Sequence, residues 1–375
     1  MEVAIIGWYG TETIGDRAIL AGLFQLMSEV FLKFRVRIGS LYPFFTERTL
    51  AEDLDFYKQV SSHHLQSVSI FDSRNPLQLR QNIKQSQVLM VGGGPLMDLA
   101  EMAMLEYAFV QAKRHDVKTL LMGCGWGPLK DKKTIQRTTR LVELSDYTIF
   151  RDETSLEQYH FYGHEKNVSF SIDPAFFACH FFVTHNAQPR KESHIAINFR
   201  DIGEEGTHYS EKSFSNNLFC NIVRDVASRT DLPIYLVPMH YFSIGGDDRM
   251  ILQKIQHEVN LPQVQTIHSP LSLYETMEMY YHAKVCIGMR FHAVVLQTML
   301  NGNNYIVDYT DPNTGKTIGM LKQLQLKDAY KHRYFSLHSD NVVFNFDITR
   351  QQSFHYDISG VEEYKNIYIG ALKKL

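Results

Sequence analysis

Short apolar segments alternate with amphipathic segments along almost the whole chain. The segments VAIIG, FRVRIGSLY, SQVLMVGGG, KTLLMGCG and YTIFRD are short, largely apolar and closed by glycine or polar residues, which is typical of buried strands. Between them, segments such as DRAILAGLFQLMSEVFLK repeat apolar residues every three or four positions, as amphipathic helices do. Strands buried on both faces and separated by helices predict a parallel sheet with right-handed crossovers.

A second series of the same kind follows the polar segment VTHNAQPRKESH, which has the composition of a linker. Its strand-like segments are HIAINFR, LPIYLVPMH, AKVCIGMR and NNYIVDY, and the chain ends on the amphipathic segment ISGVEEYKNIYIGALKKL. A length of 375 residues also favours two domains over one. We predict two Rossmann-like, doubly wound α/β domains, residues 1–183 and 193–375, that face each other across a cleft. The last segment is predicted to be a closing helix of the second domain.

The composition excludes some classes of function. A formal net charge of −3 gives no basic field for nucleic acid, and no apolar stretch is long enough to span a membrane. The four cysteines show no CxxC spacing and are expected to be reduced thiols. Because MEVAIIGWYG has an acid where a signal peptide has basic residues, we expect a cytoplasmic protein, with peripheral membrane association left open.

Ligands of doubly wound sheets bind beyond the carboxyl ends of the strands, so the residues there are the candidate site. In the first half these ends are rich in glycine: GWYGTETIGD, VGGGPLMD and GCGWGP. Such turns bring backbone N–H groups close to an anion or a sugar hydroxyl. For the first loop, a tight turn with Asp16 in the first turn of a helix explains the pattern equally well.

In the second half, cationic and titratable residues follow three strand-like segments: Arg200, His240, and the pair Arg290 and His292. Guanidinium groups bind phosphate and carboxylate through paired hydrogen bonds, and a histidine beside a bound anion is able to transfer protons near neutral pH. Taken singly, each is explained by a salt bridge or a structural histidine. Together they predict a bound anion.

Two further motifs are weaker. TDPNTGKT lacks the first glycine of a phosphate-binding GxxxxGK[ST] loop, although Lys316 within it is expected to reach the cleft. The pair Asp247 and Asp248 is explained by a helix N-cap followed by a first-turn acid, with no metal required.

With these motifs in order, the chain resembles the polysaccharide pyruvyl transferase family. The resemblance is carried by GWYGTETIGDRAIL, VLMVGGGPLMD, GCGWGP, FRDETS, SIDPAF, IAINFR, LVPMH followed by GGDD, IGMRFHAVV, and NGNNYIVDY with Lys316 after it. Two positions depart from the family pattern. Residues 11–14 stand where members commonly have an asparagine before Gly-Asp, and Phe291 replaces a leucine.

The resemblance implies a GT-B-like fold and transfer of pyruvate from phosphoenolpyruvate to a sugar of a polysaccharide or lipid-linked glycan, with release of phosphate. It implies phosphoenolpyruvate as co-substrate, no other cofactor and no metal. Arg290 and His292 are then the expected catalytic residues. The expected donor-binding residues are Arg200, His240, Arg290, His292 and Lys316. The expected acceptor-side residues are Gly10, Gly15, Asp16, Gly93, Gly94, Asp98 and Gly125.

Two alternatives stay open from the sequence: a GT-B glycosyltransferase whose nucleotide-sugar diphosphate meets the same arginines, and a non-catalytic glycan- or anion-binding protein. The role of His292 is also open, because it is placed to protonate either the methylene carbon or the leaving phosphate. All donor-site expectations require that the cationic groups converge and that internal counter-ions do not occupy them.

Overall fold

A computed structural model describes the chain except for residues 163–165, 167, 187, 203–211, 243–245, 340–342 and 350–357, and only the backbone of residues 212–216, 358 and 359. The chain divides into two compact units. The first consists of residues 1–12, 16–181 and 358–375, and the second of residues 13–15 and 182–357.

The first unit is built on a parallel sheet. Its strands are β1 (Glu2–Ile6), β2 (Phe34–Ser40), β3 (Leu65–Asp72), β4 (Val88–Gly92), β5 (Pro95–Leu96), β6 (Lys118–Trp126), β7 (Tyr147–Phe150) and β8 (Ser169–Phe170). The order is β3-β2-β1-β4-β6-β7-β8, with β5 paired to β6. The direction of strand addition reverses between β1 and β4, and this switch point opens a crevice at the carboxyl ends of these two strands.

The helices that connect these strands are α1 (Ile14–Ser28), α2 (Pro43–Val60), α3 (Pro76–Lys84), α4 (Met102–Arg114), α5 (Lys132–Leu144), α6 (Glu153–Phe161) and α7 (Ala175–His185). Local sequence explains where several of them begin. Proline opens α2 and α3, and the side chains of Asn75, Asp131 and Asp152 accept backbone N–H groups as N-caps of α3, α5 and α6.

The second unit repeats the plan. Its strands are β9 (His194–Ile197), β10 (Ile234–Leu236), β11 (Val264–Thr266), β12 (Ala283–Gly288), β13 (Asn304–Asp308) and β14 (Tyr334–Ser336), all parallel, in the order β11-β10-β9-β12-β13-β14. Its helices are α8 (Lys212–Ala227), α9 (Asp248–Val259), α10 (Leu273–Tyr281), α11 (Phe291–Leu300) and α12 (Lys316–Gln323). The switch point lies between β9 and β12.

Both sheets are buried as their apolar runs predict. Every residue of β4, β9 and β13 is buried, so these strands contribute side chains to the core on both faces. The predicted parallel α/β architecture is confirmed.

The last helix, α13 (Ile358–Leu372), belongs to the first unit. Its Tyr368 is fully buried, donates a hydrogen bond to the carbonyl oxygen of Ile172 (2.7 Å) and packs edge-on against Phe177. Lys365 forms an ion pair with Glu29 at 2.6 Å. We predicted this helix in the second domain, but sequence adjacency does not determine which apolar surface an amphipathic helix covers.

Among the described residues, no helix combines the length and apolar character needed to cross a bilayer.

Candidate functional site

Three neighbouring strands of the second unit end in polar groups. Arg200 follows β9, Arg290 follows β12, and Tyr309 directly follows β13, and these strands lie side by side at and next to the switch point. Asn198 connects the strand ends, because its amide donates to the carbonyl oxygen of Val237 (2.9 Å) and accepts the backbone N–H of Arg290 (3.1 Å). The carboxyl edge of the sheet is therefore held together by a buried side chain.

Arg290 is fixed by a carboxylate that we did not predict as its partner. Its Nε and Nη2 lie 2.7 and 2.6 Å from the two oxygens of Asp248. Asp248 is buried and also accepts the backbone N–H groups of Met239 (3.1 Å) and His240 (3.2 Å). The expectation that no internal counter-ion occupies Arg290 is wrong, because the ion pair satisfies a buried charge without any ligand.

The ion pair with Arg290 distinguishes Asp248 from its neighbour Asp247. Asp247 is the N-cap of α9 and accepts the N–H of Arg249 (3.0 Å), and Asp248 lies in the first turn, as predicted. The sequence pattern did not reveal that Asp248 also points back to Arg290, which lies 42 residues further along the chain.

Arg200 contacts Tyr309. Its Nη1 donates to the phenol oxygen of Tyr309 at 3.0 Å, and its guanidinium carbon lies 4.8 Å from the centre of the ring. Burial alone would raise the pKa of Tyr309, but the positive charges of Lys316, Arg200 and Arg290 outweigh it and lower the pKa. Three cationic side chains from three elements therefore act on one hydroxyl, which sequence reasoning missed.

Lys316 is the first residue of α12, and its Nζ lies 5.6 Å from the centre of the Phe291 ring. The family-atypical phenylalanine thus contacts an expected donor-site residue through a cation–π interaction. Phe291 is buried at the start of α11, and its ring packs edge-on against His292 at 5.2 Å.

His292 and His240 both lie beside the segment 13–15. Ile14 donates its backbone N–H to the carbonyl oxygen of Met239 (3.0 Å), and Thr13 forms a β-bridge with His240. A Cβ atom at Gly15 would overlap the ring of His292, so only glycine fits there. We expected Gly15 on the acceptor side of the first domain, whereas it groups with the second unit and touches the expected catalytic histidine.

In the first unit, packing accounts for the predicted glycines. A side chain at Gly10 would meet Ser40 and Tyr42, one at Gly93 would meet Ile19, one at Gly94 would meet Trp8, and one at Gly125 would meet the guanidinium of Arg151. Gly93 and Gly94 also have φ of 70° and 74°, a region that favours glycine. Close packing at a strand end is compatible with a ligand-binding wall and does not by itself indicate one.

Asp98 is held by the backbone. Its Oδ2 accepts the N–H groups of Lys130 (2.7 Å) and Asp131 (3.3 Å), and so ties the loop after β4 to the loop after β6.

Asp16 is a carboxyl group of the first unit whose pKa is strongly raised. Burial raises the pKa of Asp16 to about 7, against the effect of its contact with Thr11, and the charge of Asp173 adds to the rise. The Thr11 hydroxyl lies 2.7 Å from the carbonyl oxygen of Trp8 and 3.3 Å from Asp16. The Thr11 hydroxyl is the donor in its contact with Asp16, which is why this contact opposes the rise in pKa.

Three further charged residues, Arg151, Asp152 and Asp173, lie beyond the last strands of the first unit. Arg151 is buried after β7, with Nη1 3.7 Å from Asp173 and Nε 3.4 Å from Asp152. These residues belong to the motifs FRDETS and SIDPAF. Both motifs follow strand-like segments, which is the pattern that could have identified them as site candidates, although we assigned them no role.

Comparisons with known proteins agree with this fold. A Listeria monocytogenes protein assigned as a UDP-N-acetylglucosamine 2-epimerase matches with a TM-score of 0.57 at 14% identity, covering 100% of this chain and 96% of its own. The UDP-GlcNAc 2-epimerase of Methanocaldococcus jannaschii matches with a TM-score of 0.55 at 10% identity, covering 98% and 93%. Among curated protein sequences, none is similar enough to count as a match.

The two doubly wound units and these matches define a protein of the GT-B fold class. The model of one family, polysaccharide pyruvyl transferase, matches residues 14–311. The chain belongs to the polysaccharide pyruvyl transferase family.

The Asp248–Arg290 pair predicts a contrast between adjacent aspartates. Asp248→Ala should lower the free energy of unfolding by about 3 kcal/mol or more, because it leaves a largely buried guanidinium and two backbone N–H groups unpaired. Asp247→Ala removes an N-cap and an ion pair in which both partners keep some exposure to solvent, whereas Asp248 is almost fully buried, so it should cost about 1 kcal/mol. Urea denaturation measures both, and equal losses would contradict a structural role of the pair.

The raised pKa of Asp16 predicts a pH-dependent gain from Asp16→Asn. A group whose pKa is higher in the folded state stabilises at low pH, and that contribution is lost as pH rises from about 4 to about 7. The variant should therefore become more stable than the wild type across this window, by about 1–2 kcal/mol at pH 8, since partial exposure moderates the burial effect. Thermal melts at pH 5 and pH 8 measure this difference.

Asp55→Asn, at an exposed position of α2, is the control and should show no such gain. A gain for Asp16→Asn that is the same at both pH values would argue against a buried, protonated carboxyl.

Proposed function

We propose that the chain transfers pyruvate from phosphoenolpyruvate to two hydroxyls of a glycan or lipid-linked sugar, forming a cyclic ketal and releasing phosphate. Membership of the pyruvyl transferase family supports the transfer of pyruvate. The observation that supports this donor is the group of cations at the strand ends of the second unit: Arg200 donates to the partly buried phenol of Tyr309 at 3.0 Å, and Arg200, Arg290 and Lys316 together lower the pKa of that phenol.

The chemistry of the donor suits that potential. Phosphoenolpyruvate has a carboxylate and a phosphate on adjacent atoms, and guanidinium and ammonium groups bind both. Asp248 takes up the Nε and Nη2 edge of Arg290, so the Nη1 end is the part that we assign to the donor. Arg200 and Lys316, together with this end, form the proposed anion site.

The proposed reaction has two stages. One acceptor hydroxyl oxygen bonds to C2 of phosphoenolpyruvate, while C3 takes up a proton and becomes a methyl group. The bond from C2 to the phosphate oxygen then breaks, and the second hydroxyl oxygen bonds to C2 and closes the ketal. Each hydroxyl gives up one proton, and the methyl group and the released phosphate take up one each.

His292 is the proposed donor of the proton to C3. It lies in the first turn of α11, two residues after Arg290, and its ring contacts Gly15. In the first unit, Asp16 is the proposed base for an acceptor hydroxyl. A carboxylate with a pKa of about 7 is a much stronger base than an ordinary aspartate and still ionises near neutral pH.

The central experiment measures phosphate release from phosphoenolpyruvate with a panel of glycans and lipid-linked intermediates. We expect release with at least one acceptor that has two neighbouring free hydroxyls, and thermal stabilisation by phosphoenolpyruvate without acceptor. Stabilisation by a nucleoside diphosphate and none by phosphoenolpyruvate would instead favour a nucleotide-sugar glycosyltransferase. Binding of phosphoenolpyruvate with no release for any acceptor would favour a non-catalytic anion-binding protein.

His292→Ala should lower kcat at least about 100-fold while the fold is retained, because general acid–base catalysis contributes about 10²–10⁴-fold. His332→Ala, an exposed histidine of the same unit, is the matched control and should keep nearly full turnover. Comparable kcat values for the two variants would remove His292 from the mechanism.

A further inference from the structure

We propose that Tyr309 is a second proton-transfer residue of this reaction, whose phenol protonates the departing phosphate and recovers a proton from the second acceptor hydroxyl. This inference rests on the proposed function and assigns a role that the family-derived residues leave open. The proposed ketal formation needs two proton donors, one for C3 and one for the phosphate oxygen. The motif GMRFHA contains one candidate, His292.

The direction of the hydrogen bonds carries the argument. Nη1 of Arg200 donates to the phenol oxygen of Tyr309 at 3.0 Å, so that oxygen acts as acceptor in this contact. The phenol hydrogen must then point elsewhere, because an arginine has no acceptor to offer it. Among the described residues, no further hydrogen bond of this hydroxyl is found. The hydrogen is therefore available to a ligand.

The surroundings of Tyr309 make its proton easier to release. Lys316, Arg200 and Arg290 are the cations that stabilise the phenolate, and they are also the residues proposed to hold the phosphate. Because the same cations surround Tyr309 and are proposed to hold the phosphate, the phenol is expected to lie within reach of the phosphate oxygen that leaves C2. The guanidinium at 4.8 Å from the ring centre keeps the phenol in place during the transfer.

Charged and titratable groups approach Tyr309 from every neighbouring element. They are Arg200 after β9, Arg290 at the start of α11 with its partner Asp248 of α9, Lys316 of α12, Asp308 of β13, and His338 beyond β14, whose Nε2 lies 2.9 Å from the Tyr309 carbonyl oxygen. The carboxylate of Asp308 accepts hydrogen bonds from the hydroxyls of Thr310 (2.7 Å) and Tyr334 (2.8 Å), so both of its oxygens already have donors other than Tyr309. Cations dominate the balance at the hydroxyl.

The proton balance of the step closes. The phenol O–H bond breaks as the C2–O bond to phosphate breaks, and the phosphate leaves with the proton. The phenolate, stabilised by Arg200 and Lys316, then takes the proton of the second hydroxyl as its oxygen bonds to C2. Tyr309 is restored, and neither an oxidant nor a metal is needed.

The test compares Tyr309→Phe with Tyr305→Phe. Tyr305 is on β13, the strand that ends just before Tyr309, and it is also stacked by an arginine, with Arg333 4.6 Å from its ring centre, but its hydroxyl donates to the backbone of Asp347. Tyr309→Phe should lower kcat about 10²–10⁴-fold, with the dissociation constant of phosphoenolpyruvate changed less than about threefold. Tyr305→Phe should keep kcat within about threefold.

The pH profile separates proton transfer from packing. An acid acts only below its pKa, so wild-type kcat should fall at alkaline pH, and this alkaline limb should be absent in the residual activity of Tyr309→Phe. Site-specific replacement of Tyr309 by 3-fluorotyrosine, which preserves the shape and lowers the phenol pKa, should move the limb to lower pH. This variant answers the question even if Tyr309→Phe folds poorly.

The outcomes are distinguishable. If the wild type releases no phosphate from phosphoenolpyruvate with any acceptor, the proposed function fails, and this inference with it. If the wild type is active and Tyr309→Phe keeps kcat within about threefold, or the fluorinated variant shows an unmoved alkaline limb, the role of Tyr309 is wrong and the proposed function stands.

Discussion

The ion pair between Asp248 and Arg290 is the contact on which the organisation of the second unit depends. Asp248 accepts two backbone N–H groups from the segment after β10 and both oxygens meet the guanidinium after β12. Breaking one partner of a buried pair costs far more than the pair contributes as a whole, so the loop ends are held in one arrangement. Asn198 continues this connection at the end of β9.

This arrangement changes which residues supply the charge for an anion. Arg290 contributes with part of its charge already offset, so Arg200 and Lys316 account for much of the positive potential at Tyr309. The proposed anion site therefore combines one pre-oriented arginine with two cations from neighbouring elements. Orientation of such donors before the ligand arrives is the usual way in which proteins stabilise developing negative charge.

The strand ends of the first unit are dominated by close packing, and each predicted glycine lies against a named neighbour. Within this packing, Asp16 stands out because its pKa of about 7 places it at the midpoint of titration under ordinary conditions. Perturbed carboxyls concentrate at functional sites, which is the reason for proposing Asp16 as a base.

The local pattern of apolar and polar residues predicted three features: alternating strands and helices, parallel sheets, and polar residues at strand ends. It could do so because burial on both faces and amphipathic periodicity are properties of short segments. Arg200, Arg290 and His292 were predicted this way, because the pattern places them after strand-like segments, and they stay predictions as site residues. Tertiary structure alone decided that Asp248 pairs with Arg290, that Arg200 meets Tyr309 and that α13 packs on the first unit. These contacts join residues far apart in the chain, and their strength depends on burial and distance, which sequence spacing does not encode.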